Sequence, residues 1–318
     1  MQIYKFIPYL KQVIWGGKKI AARKGISDAP PCIGESWEIS GVEGHESIVA
    51  NGHDKGLSLI EIIGKYKGAL VGNRVYDSFG DKFPLLIKII DANQNLSVQV
   101  HPDDDLAAKR HGCFGKTEMW YILEAEPNAK IFAGLTKSIS PDDYTRMVAD
   151  HTIMSAVGVS ETHPGDLFFL PAGCIHSIGA GNLLAEIQQT SDITYRVYDY
   201  DRRDSEGNLR ELHTEQAREA INYTANSSYS AEYDRKAAVA ELVKCKYFDV
   251  KRMTIENTMN LPSDFDSFTI LVCVNGAMEV RAAGVEPVMV NQFETVLIPA
   301  SATGISVNGK ATFLYVKA

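Results

Sequence analysis

The chain reads LSVQVHPD over residues 96–103, an alternating run rich in apolar and β-branched residues. Alternation of this kind is typical of a β-strand, in which residues two apart point to the same face of the sheet. Gln99 and His101 are two apart and are therefore expected to share a face. A second stretch, GDLFFLPAGCIH over residues 165–176, predicts another strand, then a turn, and ends on a histidine.

Four side chains form a predicted metal site. Glu118 lies in KTEMWY, residues 116–121, where it opens an apolar run, and His176 closes the second stretch. With Gln99 and His101 they supply an amide oxygen, a carboxylate and two imidazoles, a set that suits zinc or another first-row divalent metal. One coordination position would stay open for water or substrate. The sequence therefore predicts one zinc per chain at these four residues.

Bulk properties narrow the class of protein. The 318 residues are 45% hydrophobic and 23% charged, with a formal net charge of −8. An acidic chain disfavours nonspecific binding to nucleic acid or to an anionic membrane, and no apolar run approaches the length of about 18 residues that a membrane span needs. The first ten residues lack the apolar core of a signal peptide. We therefore expect a cytoplasmic protein that binds neither nucleic acid nor membrane, and the sequence indicates no obligatory protein partner.

The five cysteines, at positions 32, 113, 174, 245 and 273, include no CxxC pair. An odd number without that spacing indicates reduced thiols rather than a disulfide framework, which agrees with a cytoplasmic location. Cys174 lies two residues before His176, and we interpret it as a small buried thiol rather than as a further ligand.

Local patterns predict the order of the elements. Strands are expected at 83–91, 96–101, 119–124, 129–133, 166–171 and 183–190, and after Cys245 at 250–255, 268–274, 277–281, 295–298 and 312–316. Helices are expected at 57–67, 69–71, 102–110, 140–150 and 213–221. Ser140 is predicted to cap its helix, with Pro141 at the first position. Asn275-Gly276 predicts a two-residue hairpin turn.

The second stretch has the spacing of a known motif: a glycine, five residues, Pro-x-Gly, two residues and a histidine form the second motif of the cupin family. LSVQVHPD resembles the first motif, with Gln99 in place of its usual first histidine. The region after residue 240 has a similar pattern of short strands and turns but lacks the predicted ligand residues. The resemblance implies a mainly β fold: a catalytic cupin (jelly-roll) barrel with short helical insertions over residues 1–240, then a degenerate cupin-like β domain over 241–318.

A closer resemblance covers about two-thirds of the chain. LSxQxHPD followed by KxEMWY resembles class I, zinc-dependent mannose-6-phosphate isomerase of the short bacterial form. Further matches lie at 8–9 (PY), 15–17 (WGG), 34–40 (GESWEIS) and 190–202 (TSDITYRVYDYDR). The resemblance implies reversible isomerisation of mannose 6-phosphate and fructose 6-phosphate at a zinc site, through an enediol-like intermediate.

Arg196 matches the arginine of that family's active site. We expect it to stabilise the negative charge that develops on the substrate oxygens. The stretch after it is rich in Tyr, Asp and Arg and has no obvious lysine, so no role is transferred to a lysine there. Arg202 and Arg203 are expected to be solvated loop charges. Trp15 and Trp37 are candidates for the wall of the pocket or for the core.

Five further residues fall on positions that the family uses. Ser97, Lys88 and Lys116 match positions near the substrate phosphate and the metal, and would supply the positive field that the acidic chain otherwise lacks. Glu186 and Asp192 match acidic positions and either orient a ligand or handle a proton. The group that moves the proton stays open among Glu186, Asp192, Lys116 and zinc-bound water.

Two functions from other classes remain open. An iron-dependent cupin dioxygenase usually holds its metal with three histidines and one glutamate, and Gln99 argues against it. A non-catalytic sugar-phosphate-binding cupin regulator would keep the pocket without turnover, and the complete ligand set with Arg196 argues against that function.

Overall fold

The computed structural model describes residues 1–203 and 206–318. Its strands, in chain order, are β1 Tyr4–Ile7, β2 Tyr9–Gly17, β3 Ile33–Ile39, β4 Ile48–Val49, β5 Leu85–Ala92, β6 Val98–Val100, β7 Glu118–Ala125, β8 Lys130–Leu135, β9 Val157–Glu161, β10 Leu167–Leu170, β11 His176–Ile178, β12 Asn182–Gln189, β13 Tyr195–Tyr198, β14 Ser230–Ala231, β15 Val239–Lys244, β16 Asp249–Ile255, β17 Thr258–Asn260, β18 Thr269–Ala282, β19 Val285–Asn291, β20 Thr295–Ile298 and β21 Ser306–Lys317. Its α-helices are α1 Lys19–Lys24, α2 Leu59–Tyr66, α3 Gly68–Val71, α4 Asn73–Phe79, α5 Asp104–His111, α6 Pro141–Ala149 and α7 Thr214–Ala220. The predicted mainly β fold with short helical insertions is confirmed.

Two sheets contain the predicted metal ligands. One has the strand order β14-β10-β7-β12-β5-β2-β3, and the other β13-β6-β11-β8-β9. Glu118 opens β7 in the first sheet, whereas His176 opens β11 and His101 directly follows β6 in the second. Since the ligand atoms of these three residues lie within 4.8 Å of one another, the two sheets face each other across the site.

The register of the first sheet sets which side chains reach the site. Every residue of β12 is buried, and Glu186 lies opposite Lys88 on β5 and Trp120 on β7, while Gln188 lies opposite Glu118. Because residues two apart share a face, one face of three adjacent strands carries these polar groups. Their neighbours Ile87, Ile89 and Ile187 pack into the hydrophobic core on the other face, so the pleat separates the core from the site.

The helices begin where local signals place them. Ser58 and Glu61 form a reciprocal capping box at α2, and Ser140 and Asp143 form another at α6, with Pro141 at its first position. Asp103 caps α5 by accepting a hydrogen bond from Leu106 N at 2.9 Å. The short helices α1 and α4 were not predicted, and neither of them has a side-chain cap at its start.

In the described residues no helix is both long enough and apolar enough to cross a membrane.

The strands after residue 238 form most of a third sheet, with the order β15-β16-β21-β18-β20-β1-β4. Strand β1 enters it by pairing antiparallel with β20, with Tyr4 opposite Leu297. The rings of Phe83 and Phe268 lie 4.7 Å apart, so the N-terminal and C-terminal regions share core contacts. The predicted domain boundary at residues 240–241 stays a prediction, and the structure adds that the first strand of the chain belongs to the C-terminal sheet.

The hairpin predicted at Asn275-Gly276 is wrong. Strand β18 runs continuously through this pair, and its register against β21 shifts between Cys273 and Asn275. Gly276 has a φ of +77°, the left-handed conformation that an Asn-Gly pair favours in turns. Here that conformation lies two residues beyond a bulge at Val274, within one continuous strand. Local turn propensity could not distinguish the two outcomes, because β21 holds both halves of β18.

Candidate active site

The four side chains predicted as metal ligands come from two sheets and lie close together. Glu118 Oε1 lies 3.2 Å from His176 Nε2, and Glu118 Oε2 lies 3.5 Å from His101 Nε2. Gln99 lies opposite His176 in the β6–β11 ladder, with its Nε2 3.4 Å from His176 Nε2. Because a half-turn of a carboxamide exchanges its oxygen and nitrogen, Gln99 can present Oε1 at the same point.

Backbone carbonyls fix the orientation of both imidazoles. His101 Nδ1 lies 2.9 Å from Ile193 O, and His176 Nδ1 lies 2.8 Å from Cys174 O. A carbonyl only accepts, so each Nδ1 must carry the proton and donate it, which leaves Nε2 as a lone pair directed at Glu118. Metal-binding histidines are oriented in this way by a partner on their other ring nitrogen.

The electrostatics of the cluster favour a bound cation. Neither carboxylate oxygen of Glu118 has a well-formed hydrogen bond to any described residue, although both are buried. Burial raises the pKa of Glu118, and burial lowers the pKa of His176 to about 4 and that of His101 well below its usual value. Neutral imidazoles beside a desolvated carboxylate form a donor set that fits a divalent metal.

Lys116 joins the ligand cluster to the neighbouring cavity. Its buried ammonium lies 3.0 Å from His101 Nε2 and 3.1 Å from Glu118 Oε2. It also lines the cavity, so it can face the ligands and a bound substrate at once. A cation in this place partly balances the Glu118 carboxylate.

A cavity of about 350 Å³ collects the predicted substrate-side residues. Its walls include Ser97, Gln99, Lys88, Lys116, Glu186, Asp192 and Arg196, together with Trp15 and Trp37. The cavity is also lined by four residues that were not predicted: Lys11, Glu35, Thr194 and Arg210. Glu35 and Thr194 lie in the matched stretches 34–40 and 190–202, and alternation along β3 places Glu35 on the same face as Trp37. Arg210 is separated from the other wall residues in sequence, and only the fold brings it to them.

Lys88 is enclosed by carboxylates. Its Nζ lies 3.0 Å from Glu186 Oε1 and 3.3 Å from Glu35 Oε2. Burial by itself would lower the pKa of Lys88, but the Glu186 and Glu35 charges outweigh it and hold that pKa above its usual value. The two carboxylates already match the charge of Lys88, so less of it is available to an anionic ligand than the sequence suggested.

Two indoles hold the partners of Lys88 in place. Trp37 Nε1 donates to Glu35 at 2.7 Å, and Trp120 Nε1 donates to Glu186 at 2.9 Å. Burial would raise the pKa of Glu35, but Lys88, Lys11 and the Trp37 indole lower it to about 2. The pKa of Glu186 is also lowered, because the Lys88 and Lys116 charges overcome the effect of burial. Both groups are therefore carboxylates at neutral pH.

Arg196 keeps an uncompensated charge. Its Nη1 donates to Glu211 O at 2.7 Å, and its buried Nε has no partner among the described residues. Burial and the nearby Arg210 lower the pKa of Arg196, but no ion pair joins it to a carboxylate in the described part of the chain. Arg202 and Arg210 both bind Asp199, so the prediction that Arg202 is a solvated charge is wrong.

Cys174 is buried, and burial raises the pKa of its thiol to about 12. A thiol with a raised pKa is a poor ligand and a poor nucleophile. Its backbone carbonyl orients His176, so this residue contributes through its main chain.

Comparisons with known proteins agree with this geometry. The family model for the catalytic domain of type I phosphomannose isomerase matches residues 3–136, and the model for the cupin domain of mannose-6-phosphate isomerase matches residues 238–318. The mannose-6-phosphate isomerase ManA of Bacillus subtilis (strain 168) is 37% identical over 260 residues, which cover 80% of each chain. The mannose-6-phosphate isomerase of Streptococcus mutans serotype c is 37% identical over 254 residues, covering 78% of this chain and 77% of that protein.

A solved structure extends the similarity to the whole fold. The crystal structure of the mannose 6-phosphate isomerase from Bacillus subtilis superposes with a TM-score of 0.89 at 31% sequence identity, covering 99% of both chains. The similarity therefore includes both barrel sheets and the C-terminal sheet.

Proposed function

The chain belongs to the type I phosphomannose isomerase family, and on this premise we propose that it interconverts mannose 6-phosphate and fructose 6-phosphate at a divalent metal, with zinc as the expected ion. One observation carries the proposal. The metal ligand set of His101, Glu118 and His176 adjoins, through Lys116, a cavity that also contains Arg196. Cupin folds support many reactions, so the assignment depends on this site and on the family together.

The reaction moves a proton between C1 and C2 of the sugar, and negative charge develops on the oxygens of both carbons. Gln99, His101, Glu118 and His176 would hold a zinc ion, and that ion would supply Lewis acidity to the reaction. The free charge of Arg196 stabilises the same developing charge from the protein side.

Three side chains are candidates for moving the proton. Glu186 is a buried carboxylate between Lys88 and Trp120, Asp192 lies in the cavity wall, and Lys116 contacts two ligands. A general base must lie within hydrogen-bond reach of the proton that it takes. All three line the same cavity, so each can reach a substrate bound there.

The phosphate of the substrate needs local positive charge in a chain of net charge −8. We assign binding of the phosphate to Ser97, Lys88 and Lys116, of which the two lysines carry positive charge, and Arg210 is a further cationic group in the cavity wall. The contribution of Lys88 is expected to be the smallest because Glu35 and Glu186 already neutralise it.

No specific observation favours the iron-dependent dioxygenase or the non-catalytic regulator. A cytoplasmic location, and function without nucleic acid, membrane or obligatory protein partner, stay predictions from the sequence.

The test is turnover of mannose 6-phosphate in a coupled assay before and after chelation. We expect about one zinc per chain, loss of activity on its removal, and recovery when zinc or another divalent ion is returned. A mock-treated sample carried through the same buffer exchange is the control. Full activity in metal-free protein would overturn the metal site, and inactivity of metal-loaded protein would overturn the isomerase assignment.

A further inference from the structure

Asp104, the first residue of α5, connects three parts of the molecule through its carboxylate. Its Oδ1 accepts hydrogen bonds from Gln189 Nε2 at 2.9 Å and from Gly115 N at 3.1 Å. Its Oδ2 accepts from Tyr247 OH at 2.8 Å and from Lys246 Nζ at 3.2 Å. One side chain therefore joins the end of β12, the segment before β7 and the region after residue 240.

The connection continues from Gln189 to Thr117, which precedes the predicted metal ligand Glu118. Gln189 Oε1 accepts from Thr117 N at 2.9 Å, and Gln189 N donates to Thr117 O at 3.2 Å. Because the Asp104 carboxylate only accepts, the Gln189 amide must turn its nitrogen toward Asp104 and its oxygen toward Thr117. Asp104 therefore sets the orientation in which Gln189 can hold Thr117.

Thr117 lies between Lys116 and Glu118, and it is held at a third point. Its Oγ1 accepts from Ala172 N at 3.2 Å, in the turn that leads to His176. The Glu118 carboxylate lies 3.1 Å from the Lys116 ammonium, so the two residues on either side of Thr117 form a buried ion pair. The direction of both side chains depends on the backbone that joins them, which the contacts of Thr117 fix.

We infer that the hydrogen-bonded chain Tyr247–Asp104–Gln189–Thr117 is a positioning network through which the C-terminal region fixes Glu118 and Lys116. The inference rests on the metal site of the proposed function. A displacement of about 1 Å at a catalytic group can cost about 10²-fold in rate, so such a network affects activity without touching the substrate.

Two conservative variants interrupt the network. Gln189→Met keeps the length of the side chain and removes both of its hydrogen bonds. Tyr247→Phe removes only a hydroxyl. The matched control is Tyr66→Phe, which removes a hydroxyl that donates to the Asp54 carboxylate at about the same distance, 3.0 Å, away from the site.

The experiment measures zinc affinity of the full-length protein by competition with a chromophoric chelator, and the visible spectrum of the cobalt(II)-loaded protein. We expect Gln189→Met to weaken zinc binding by about 10-fold or more, the scale typical of groups that orient ligands. We expect Tyr247→Phe to weaken zinc binding by about 3-fold. The cobalt spectrum should change in both network variants, and Tyr66→Phe should keep the zinc affinity of the wild type. The turnover number for mannose 6-phosphate should also fall in both network variants and stay unchanged in Tyr66→Phe.

A double variant separates a connected network from two independent contacts. If both residues act through Asp104, Gln189→Met/Tyr247→Phe binds zinc about as weakly as Gln189→Met alone, whereas additive losses would overturn the network. Lower thermal stability with unchanged zinc affinity and unchanged cobalt spectrum would also overturn it. If Gln189→Met does not fold, the comparison of Tyr247→Phe with Tyr66→Phe decides. Wild-type protein that binds no zinc would overturn the proposed metal site instead.

Discussion

Arg196 differs from the other cationic residues of the cavity wall because it forms no ion pair with a carboxylate of the described residues. Lys88 is matched by Glu35 and Glu186, and Arg210 by Asp199. A charge left without a partner is available to a substrate, so the role of Arg196 can be tested by replacing it.

We predict that Arg196→Ala retains zinc and still binds the sugar phosphate, while its turnover falls by about 10² or more, the scale for loss of one preorganised charge-stabilising donor. Arg196→Lys should recover part of the loss, since it keeps the charge without the planar fork. Steady-state kinetics with zinc analysis in parallel checks both. A raised KM with kcat nearly intact would show that Arg196 only binds the phosphate.

The four ligands are expected to differ in strength. His101→Ala and His176→Ala should lose metal and activity together, because both rings are buried and oriented by carbonyls. Gln99→Ala should be milder, since a neutral amide is the weakest of the four ligands. Metal content measures the loss for each variant, and circular dichroism checks that the variant still folds. Equal losses of metal in Gln99→Ala and His101→Ala would contradict this ranking.

Among the elements, β18 depends on an unusual backbone conformation at one glycine. Gly276 has a φ of +77°, and a Cβ built on it would lie 2.1 Å from Lys310 O in β21. A side chain there would strain the residue and also push apart the two most extensively paired strands of the C-terminal sheet.

We predict that Gly276→Ala destabilises the protein by about 3 kcal/mol or more, above the range of about 1–3 kcal/mol for a strained backbone alone. Gly284→Ala is the matched control, because Gly284 also has a positive φ, +68°, but a Cβ there meets nothing within 4 Å. Urea unfolding of both variants measures the difference. Equal losses of unfolding free energy in Gly276→Ala and Gly284→Ala would mean that the contact with Lys310 has no effect.

Sequence patterns predicted the elements with strong local signals and missed those that the tertiary structure determines. Capping at Ser140 was readable because the cap is formed by residues that are close together in the sequence. The continuity of β18 was not, because β21 overrides the turn signal at Asn275-Gly276. In the site, the ligand spacing was sufficient to bring Gln99, His101, Glu118 and His176 together. The Asp104 network could not be predicted, since Gln189 and Tyr247 lie 85 and 143 residues away from Asp104 in the sequence.

For the whole molecule, acid should destabilise the fold partly through Glu35. The pKa of Glu35 is lowered to about 2 in the folded protein, against an ordinary value of 4.5. A depressed folded pKa contributes stability that is present above the unfolded pKa and is lost as the pH falls through the folded one. This contribution therefore disappears between about pH 4.5 and pH 2.

We predict that Glu35→Gln is less stable than the wild type at pH 7, and that the difference shrinks as the pH falls toward 3. Urea midpoints across this range, with chelator present so that metal release does not contribute, measure the effect. A difference independent of pH would show that Glu35 is not the group responsible.

The pairing of β1 with β20 has a consequence for biosynthesis. Tyr4 emerges from the ribosome long before Leu297, its partner. At about 5–20 residues per second, the nascent β1 waits roughly 15–60 s for β20 to be made. Until then Tyr4, which is fully buried in the folded protein, has no strand beside it on that edge. The C-terminal sheet is therefore completed late in translation or after it, and the newly made N-terminal segment is the part that chaperones would be expected to shield.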